Sequence, residues 1–589
     1  MRISDTVVIL ISLEQFIVDV KRYILIISDG TLMIDKNQED SNDRLRKEKT
    51  SYLCWFVVIV IILTAGGIRF RLVDVPLERD EGEYAYAGQL ILEGIAPYGQ
   101  VYSMKMPGIH AAYAVILAVF GQTQGGVHLG LLVINAVSIL AIFLLAKEFF
   151  GQFAGVSTAA AFALLSLGKE VQGIFANAEH FVIAFALSGI LFLVHGIKRE
   201  KHWPVAVAGV LAGVSFLMKQ HGIFFIAFCG LYLIFIEIRR RPFIRKSFAI
   251  KCALYSLGAL VPFGLTCLIL WRCGVFGKFW FWTFEYAGTY ASGLPLSEGL
   301  DNLTSRIADI SDSAIWLWIL AGFGLTGLFW NKEIRRHRVF AAGFVFFSIL
   351  AICPGFYFRR HYFILLLPAV AMLAGIGARA FPELFGARQS ELTSKVISAV
   401  LVCLAFFDGL YQQRQFLFVM NPLAASRATY GTNPFPESLE VARYIKENST
   451  AEDFIAVIGS EPQIYFYSKR CSATSHIYTY PLMEIHDYAL KMQEEMIQQI
   501  ESKNPKFLVY VHVFSSWFMR PESEKMIFQW IGDYQRRYYR VVGVMDIVSV
   551  NETIEHWGEE AGSYLARSEN GLLVLERKSE IKASAPSPH

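Results

Sequence analysis

Eleven apolar stretches, each about as long as a lipid bilayer is thick, occupy much of the chain before residue 412. They cover residues 52–70, 127–146, 152–168, 174–196, 203–218, 222–238, 249–271, 313–330, 338–354, 361–378 and 395–411. A membrane-spanning helix needs about 20 apolar residues, and hydrophobic residues make up 54% of this 589-residue sequence. The pattern predicts a polytopic α-helical membrane protein with about 11 spans and additional interfacial helices.

Basic residues fall into alternate connections between these stretches, which fixes a predicted orientation. They are Arg44, Arg46, Lys47, Lys49, Lys198, Arg199, Lys201, Arg239, Arg240, Arg241, Arg245, Lys246, Lys332, Arg335, Arg336, Arg338, Arg379 and Arg388. Because Lys and Arg concentrate in cytoplasmic loops, we expect an integral protein of the cell (inner) membrane with a cytoplasmic N-terminus. Residues 71–126 then form one large outer loop.

The apolar stretch from Pro107 to Gly121 is the exception to this pattern. It has roughly 15 residues, too few to cross a bilayer comfortably. If it crossed, every later basic loop would move to the outside. We therefore predict an interfacial helix within the outer loop.

Three regions follow from this reading. Residues 1–50 form a cytoplasmic N-terminal segment, in which charges interrupt the apolar residues 7–28; an interfacial helix there and a natural start at Met33 both remain open. Residues 51–412 form the transmembrane domain. Residues 413–589 alternate strand-like and helix-like runs, which predicts a soluble α/β domain, placed outside by the odd span count. The strand-like runs are Phe454–Gly459, Phe507–His512, Tyr539–Ile547 and Leu572–Glu576, and the helix-like runs are Tyr488–Ser502 and Glu524–Tyr538.

A carboxylate cluster follows the first span, at Glu78, Asp80, Glu81 and Glu83. Carboxylates crowded beside a low-dielectric slab are candidates for acid/base chemistry or for holding a cation. We expect Asp80 and Glu81 to be functional and Glu78 and Glu83 to be a solvated flank.

Four cations lie on the predicted outer side, where the charge bias would not put them: Lys105, Lys219, Arg359 and Arg360. Such groups are suited to hold a phosphate, because Arg offers bidentate geometry and Lys a point charge. Lys219 is equally well explained as a hairpin tip, and Glu179, near the outer start of the fourth span, as a helix cap. Both are candidates for a substrate cavity.

The run Arg79-Asp80-Glu81-Gly82-Glu83-Tyr84-Ala85-Tyr86, then Lys105-Met106-Pro107-Gly108 and Phe358-Arg359-Arg360-His361-Tyr362-Phe363, resembles the membrane glycosyltransferases of the GT-C superfamily. The closest likeness is to the protein O-mannosyltransferase and lipid A aminoarabinose transferase group. Met106 departs from the pattern, since relatives often have a second proline there.

The resemblance implies roles for these residues. Asp80 matches the catalytic acidic residue and Glu81 its partner, while Tyr84 matches a position of the donor cavity. Donor-phosphate binding is implied for Lys105, Arg359, Arg360, His361 and Tyr362. The implied reaction is an inverting transfer from a polyprenyl-phosphate-linked sugar on the outer face to a glycan, lipid or protein acceptor, with no cofactor and no metal.

Other readings stay open at this point. A helix N-terminus suits acidic residues without any catalysis, Lys105 could snorkel, and His361 could be a packed interfacial histidine. A transporter or flippase, or a surface-glycan polymerase or ligase, would also have many spans. The net charge of +3 and the absence of a basic stripe argue against a nucleic-acid partner.

Overall fold

The computed structural model describes residues 36–385 and 391–578, and it is mostly helical. The described chain divides into two units between Phe56 and Val57, and every contact described below lies within the second. The possible interfacial helix at 7–28 and the alternative start at Met33 fall outside the described residues.

The helices of the transmembrane region begin with a helix, α1, that includes the first predicted span. They are α1 Lys36–Arg71, α2 Arg79–Leu92, α3 Pro107–Phe120, α4 Gln124–Leu165, α5 Ala178–Arg199, α6 Trp203–Met218, α7 Ile223–Arg239, α8 Arg245–Arg272, α9 Phe276–Trp280, α10 Ala287–Ala291, α11 Leu296–Asp312, α12 Ile315–Trp330, α13 Lys332–Arg335, α14 Arg338–Ile352, α15 Leu367–Ala380 and α16 Glu391–Gln412. A π-helical turn at Phe281–Tyr286 joins α9 to α10.

By length and composition, 7 helical segments of the described chain could each cross a membrane, or 8 if one bent pair counts as a span. They are Ser51–Arg71, Gln124–Leu165, Ala178–Arg199, Gln220–Arg239, Arg245–Arg272, Leu367–Leu384 and Thr393–Gln412, and the bent pair is α11 with α12. The polytopic helical class predicted from the sequence is therefore confirmed.

The count of eleven spans stays a prediction. Two predicted spans lie in α4, whose 42 residues are interrupted at Gly151, where φ is 87°. Only glycine adopts that backbone conformation without steric cost, so the chain turns there. Helices α6 and α14 are apolar but have only 16 and 15 residues. Helix α3 is the short apolar helix expected at Pro107.

The C-terminal region folds as predicted into a small α/β domain. Its elements are α17 Pro422–Tyr430, α18 Phe435–Glu447, β1 Ile455–Ile458, α19 Gln463–Ser468, α20 Tyr480–Met483, α21 Ala489–Lys503, β2 Phe507–His512, α22 Phe514–Trp517, α23 Met526–Tyr538, β3 Tyr539–Ser549, β4 Glu552–Trp557, α24 Glu559–Ser563 and β5 Gly571–Arg577. The sheet order is β1-β2-β5-β3-β4, with β1 and β2 parallel and the other neighbours antiparallel. Strand β4 was not predicted, because as a charged edge strand it lacks an apolar alternation.

This domain packs directly on α2, the helix that carries the acidic cluster. Arg79 donates to the Ser460 carbonyl at 2.7 Å and forms a buried ion pair of 2.7 Å with Glu461. A Cβ at Gly82 would lie 2.6 Å from the backbone nitrogen of Gln463, so no larger residue fits between α2 and α19. The position of α2 is therefore set from both the transmembrane and the C-terminal side.

Candidate active site

The acidic cluster begins a helix rather than a solvated loop. Glu78 is the N-cap of α2: its carboxylate accepts from the Glu81 amide at 3.1 Å, and the Glu81 carboxylate accepts from the Glu78 amide at 3.1 Å. This reciprocal capping box satisfies free amides at the helix start. Asp80 lies between these two residues and is free to point elsewhere.

Asp80 and Lys105 form an ion pair at the wall of a cavity of about 600 Å³. Lys105 Nζ lies 3.1 Å from Asp80 Oδ2, and the two side chains are 16% and 11% exposed. The loop that carries Lys105 is held by Tyr98, whose hydroxyl donates to the Lys105 carbonyl at 2.6 Å. The Lys105 amide in turn donates to Ser103 Oγ at 3.0 Å. The two residues, which the sequence analysis named as catalytic and phosphate-binding candidates, therefore line the same cavity.

The charge state of Asp80 follows from its neighbours. Burial by itself would raise the pKa of this carboxyl, but the attraction of Lys105, the largest opposing effect, outweighs burial and holds the pKa well below its usual range. The same attraction from Asp80 and Glu83 outweighs burial at Lys105 and raises the pKa of its ammonium. Both groups are therefore charged at neutral pH.

Glu81 is fully buried and does not line the cavity. One carboxylate oxygen accepts from the Ala176 amide and lies 3.0 Å from His128 Nε2, while His128 Nδ1 lies 2.8 Å from the Val73 carbonyl. Since that carbonyl can only accept, Nδ1 carries a proton. Glu81 thus fixes the helix start to the transmembrane helices.

The expectation that Glu78 and Glu83 are a solvated flank was wrong. Both are buried, at 6% and 3% exposure, and both contribute to the cavity wall. Burial, reinforced by the charges of Asp80 and Glu81, raises the pKa of Glu78 well above its usual range. Glu83 accepts a hydrogen bond from Ser103 Oγ and so supports the Lys105 loop. The flank is structural because Glu78 caps α2 and Glu83 supports the Lys105 loop.

Arg359 and Arg360 both line the cavity but differ in what they contact. Arg360 is 3.2 Å from Glu170 and 3.7 Å from Asp309, so carboxylates already occupy its guanidinium. Arg359 lies between aromatic rings, with its guanidinium carbon 5.4 Å from the Tyr357 ring centre and 5.7 Å from that of Phe518. Within the described part of the chain, Arg359 has no carboxylate partner. It is the more available anion-binding group.

His361 and Tyr362 also face the cavity. His361 Nδ1 lies 2.9 Å from Gln172 Oε1, and His361 Nε2 lies 3.9 Å from Glu179. The Tyr362 ring separates the cavity from Lys219, whose Nζ lies 4.1 Å from the ring centre.

The remaining three predicted residues lie behind the wall rather than in it. Lys219 and Glu179 form an ion pair whose side chains are 6% and 1% exposed. Tyr84 is buried, packs edge-on against Tyr113 at 5.3 Å, and lies under Lys105 with its ring centre 5.7 Å from Nζ. None of these three side chains lines the cavity.

The C-terminal domain supplies cavity residues that the sequence did not reveal. Tyr478 donates to Asp80 Oδ1 at 3.3 Å, and Tyr480 donates to the Ser515 carbonyl at 2.6 Å. Glu484 accepts a hydrogen bond of 2.5 Å from Tyr286 of the π-helical turn. Burial raises the pKa of Glu484 to about 7, against the opposing effects of Tyr286 and two arginines. The run Tyr-Thr-Tyr-Pro at 478–481 is the one sequence feature that marks these cavity residues, but it has no helical or strand periodicity and so did not indicate a site.

Helix α11 was also not predicted, and its side chains Asn302 and Arg306 line the same cavity. No group of three or more His, Cys, Asp or Glu side chains in residues 36–385 and 391–578 could hold a metal ion. The expectation of a reaction without metal or cofactor stays a prediction.

Comparison with known proteins gives one family and several solved structures. The family described as dolichyl-phosphate-mannose-protein mannosyltransferase matches residues 105–265. ArnT from Cupriavidus metallidurans bound to undecaprenyl phosphate superposes with a TM-score of 0.54 at 15% identity, over 88% of this chain and 97% of that chain. Its apo state gives 0.53, also at 15% identity and over the same shares of both chains. The archaeal oligosaccharyltransferase AglB from Archaeoglobus fulgidus gives 0.49 at 11% identity, over 87% and 75%.

No protein with curated annotation matches the sequence. At 15% identity the ArnT match shows a shared fold. Together with the family match, it confirms the resemblance to GT-C membrane proteins that the motifs around Asp80, Lys105 and Arg359 predicted. The chain is an integral membrane protein that shares the fold of ArnT.

Proposed function

We propose that this protein is a GT-C-type glycosyltransferase that moves a hexosyl or pentosyl group from a polyprenyl monophosphate to an acceptor on the extracytoplasmic side of the cell membrane. The observation that carries the proposal is the Asp80–Lys105 pair at 3.1 Å, at the wall of a cavity that also presents Arg359. A carboxylate beside an anion-binding set is what transfer from a phosphate leaving group requires.

The reaction we propose is a single displacement. An acceptor hydroxyl or amine attacks the anomeric carbon from the face opposite the phosphate, and its proton passes to the Asp80 carboxylate. The bond between the anomeric carbon and the phosphate oxygen breaks with its electron pair, and polyprenyl phosphate departs. The configuration at the anomeric carbon inverts. Lys105 and Arg359 stabilise the negative charge that develops on the leaving phosphate.

Lys105 gives this site a way to couple donor binding to catalysis. While Lys105 neutralises Asp80, the pKa of the carboxyl is well below its usual range and the carboxylate is a weak base. A donor phosphate competes for the same ammonium. When the Lys105 ammonium pairs with the phosphate in place of Asp80, the pKa of Asp80 rises and its carboxylate becomes a stronger base. We expect the base to be strongest when the donor is in place.

Glu81 takes a positioning role in this proposal. Its carboxylate is saturated by the Glu78 and Ala176 amides and by His128, so it is bound too tightly to reach a substrate. It fixes the first turn of α2 and thereby the direction of Asp80. Arg360 is assigned a supporting role, because Glu170 and Asp309 hold it.

The test uses membranes containing the full chain and a panel of labelled polyprenyl-monophosphate sugars. We expect label to leave the lipid fraction for a polar or macromolecular product, without added divalent metal and in the presence of a chelator. No product with any donor, together with movement of intact labelled lipid between leaflets of reconstituted vesicles, would contradict the proposal and favour a flippase.

The acceptor class is resolved by comparing envelope glycans of a strain lacking the protein with those of its parent. Loss of one sugar from a protein, lipid or polysaccharide fraction names the acceptor. If the strain lacking the protein made shorter glycan chains and lost no single sugar, a glycan polymerase would be favoured.

A further inference from the structure

A second cavity, of about 450 Å³, lies at the opposite end of the helical bundle from Asp80. Helix α7 connects the two places. At its start, the His221 ring packs against Tyr362 of the candidate active site, with ring centres 4.9 Å apart. At its end, Arg239 lines the second cavity. The 17 residues of α7 span about 25 Å at 1.5 Å per residue, which is close to the thickness of a bilayer core.

Cationic side chains dominate the wall of this cavity. They are Arg239 at the end of α7, Lys332 and Arg335 on α13, Arg336 after it, and Arg338 at the start of α14. None of these five has an ion pair with any residue of the described chain. The neighbouring Glu333 is paired with Arg379 instead. All five are exposed, so water screens their mutual repulsion, but together they give the cavity a positive potential that attracts an anion.

The backbone adds donors at the same place. Helix α14 begins at Arg338, and its N-cap residue His337 provides no side-chain cap. The amides of the first turn therefore have no intrahelical partner, and the helix dipole is positive at this end. Helix N-termini of this kind bind phosphate and other anions.

The remaining wall is apolar. Tyr232, Phe235 and Ile236 of α7 continue from the cationic rim towards the middle of the helix, and Val339 and Phe340 face them from α14. The Tyr232 and Phe340 rings are in edge contact, with centres 5.3 Å apart. A cationic mouth at the membrane boundary above an apolar wall matches a charged headgroup with an acyl chain, and a free ion would use only the mouth.

We infer that this pocket binds the phosphate headgroup of an anionic membrane lipid, at the membrane surface opposite the candidate active site. The inference is independent of the proposed glycosyl transfer. Basic loops alone are explained by the general bias that orients membrane proteins. The further observations here are the volume of about 450 Å³, the lack of an ion pair to any of the five cations among the described residues, and the start of α14 without a side-chain cap.

The experiment measures lipid binding to the purified full chain. Native mass spectrometry counts bound phosphatidylglycerol, with phosphatidylcholine as the uncharged comparison and inorganic phosphate as the headgroup without a tail. We expect saturable phosphatidylglycerol binding that weakens roughly tenfold or more in Arg335→Gln/Arg338→Gln, because each basic residue near such a headgroup contributes about 1 kcal/mol. Arg335→Lys/Arg338→Lys should keep most of the binding.

The matched control is Arg245→Gln/Lys246→Gln, which removes two exposed cations that lie outside the cavity. Its affinity should stay within about twofold of the parent. The inference would be overturned if both double variants lost phosphatidylglycerol binding to the same extent. It would also be overturned if the parent bound phosphatidylcholine as tightly as phosphatidylglycerol, or if inorganic phosphate displaced phosphatidylglycerol as well as the free lipid does. If Arg335→Gln/Arg338→Gln does not fold, Arg239→Gln on the facing helix provides the same comparison.

Discussion

Two carboxylate–lysine pairs lie close together in this protein, and they differ in exposure. Asp80 and Lys105 meet at the cavity wall with side chains 11% and 16% exposed. Glu179 and Lys219 are sealed behind Tyr362, at 1% and 6%. The two pairs use the same chemistry. Only the first lines the cavity, where a substrate can replace one partner, whereas separating the second would leave a charge almost fully buried.

The difference shows that a charged pair near a membrane is not by itself a functional signal. A sealed pair stabilises one arrangement of helices, since separating it leaves a buried charge. An open pair can change its charge distribution when a ligand arrives. We therefore expect substitutions at Asp80 to affect rate and substitutions at Glu179 to affect folding.

The largest effect should follow Asp80→Asn. The amide keeps the shape but cannot accept a proton, so we expect sugar transfer to fall about 10²–10⁴-fold, with the melting temperature nearly unchanged. The measurement is release of label from a polyprenyl-monophosphate sugar by membranes containing the variant.

Glu93→Gln is the matched control, because it removes one exposed carboxylate from the other end of the same helix. It should leave transfer unchanged. Full activity of Asp80→Asn would remove Asp80 from the mechanism.

Glu179→Gln should act mainly on stability. It leaves the Lys219 ammonium buried without its counter-charge, which costs about 3–5 kcal/mol for such a pair. We expect a lower melting temperature and less folded protein, while the folded fraction retains transfer activity. Replacing both partners, as in Glu179→Leu/Lys219→Met, should recover much of the loss.

The proposed difference between the Asp80–Lys105 and Glu179–Lys219 pairs would be contradicted if Glu179→Gln affected activity and not stability. A stable Glu179→Gln protein that cannot transfer sugar would place Glu179 in the chemistry and would make the two pairs equivalent.

Gly82→Ala should disturb the open pair through the C-terminal domain. The added methyl would lie 2.6 Å from the Gln463 backbone nitrogen, so α19 must move away from α2. Overpacking of this kind costs about 1–3 kcal/mol, and we expect transfer to fall because Tyr478 retreats from Asp80. Gly67→Ala, where the methyl meets nothing within 4 Å, is the control. Similar behaviour of the two variants would mean that the contact with α19 does not matter.

The smallest effect should follow Tyr478→Phe, which removes the 3.3 Å hydrogen bond to Asp80. One such bond contributes about 0.5–1.5 kcal/mol. A hydrogen bond to a carboxylate lowers its pKa, so losing it raises the pKa of Asp80. In a pH–rate profile, the fall in activity at acid pH should therefore begin at a higher pH than in the parent. An unshifted profile would make Tyr478 a packing residue.

Much of the fold was predictable because it depends on local patterns. Apolar stretches predicted the helical membrane class, and strand-like runs such as Phe507–His512 predicted strands that the structure confirms. Helix α11 and strand β4 were missed, since both are polar elements whose positions depend on what they pack against. The residue types at Asp80, Lys105 and Arg359 were sufficient to suggest phosphate chemistry.

The sequence by itself determined the membrane class, the C-terminal α/β domain and the two charged motifs, because hydrophobic length and residue chemistry are local properties. Only the tertiary structure decided which charges are accessible. It buried Glu78, Glu81 and Glu83, with Glu81 against Ala176 and His128 and Glu83 against Ser103, and left Asp80 at the cavity wall. Burial depends on residues nearly 400 positions away, such as Tyr478, whose contact with Asp80 has no local signature.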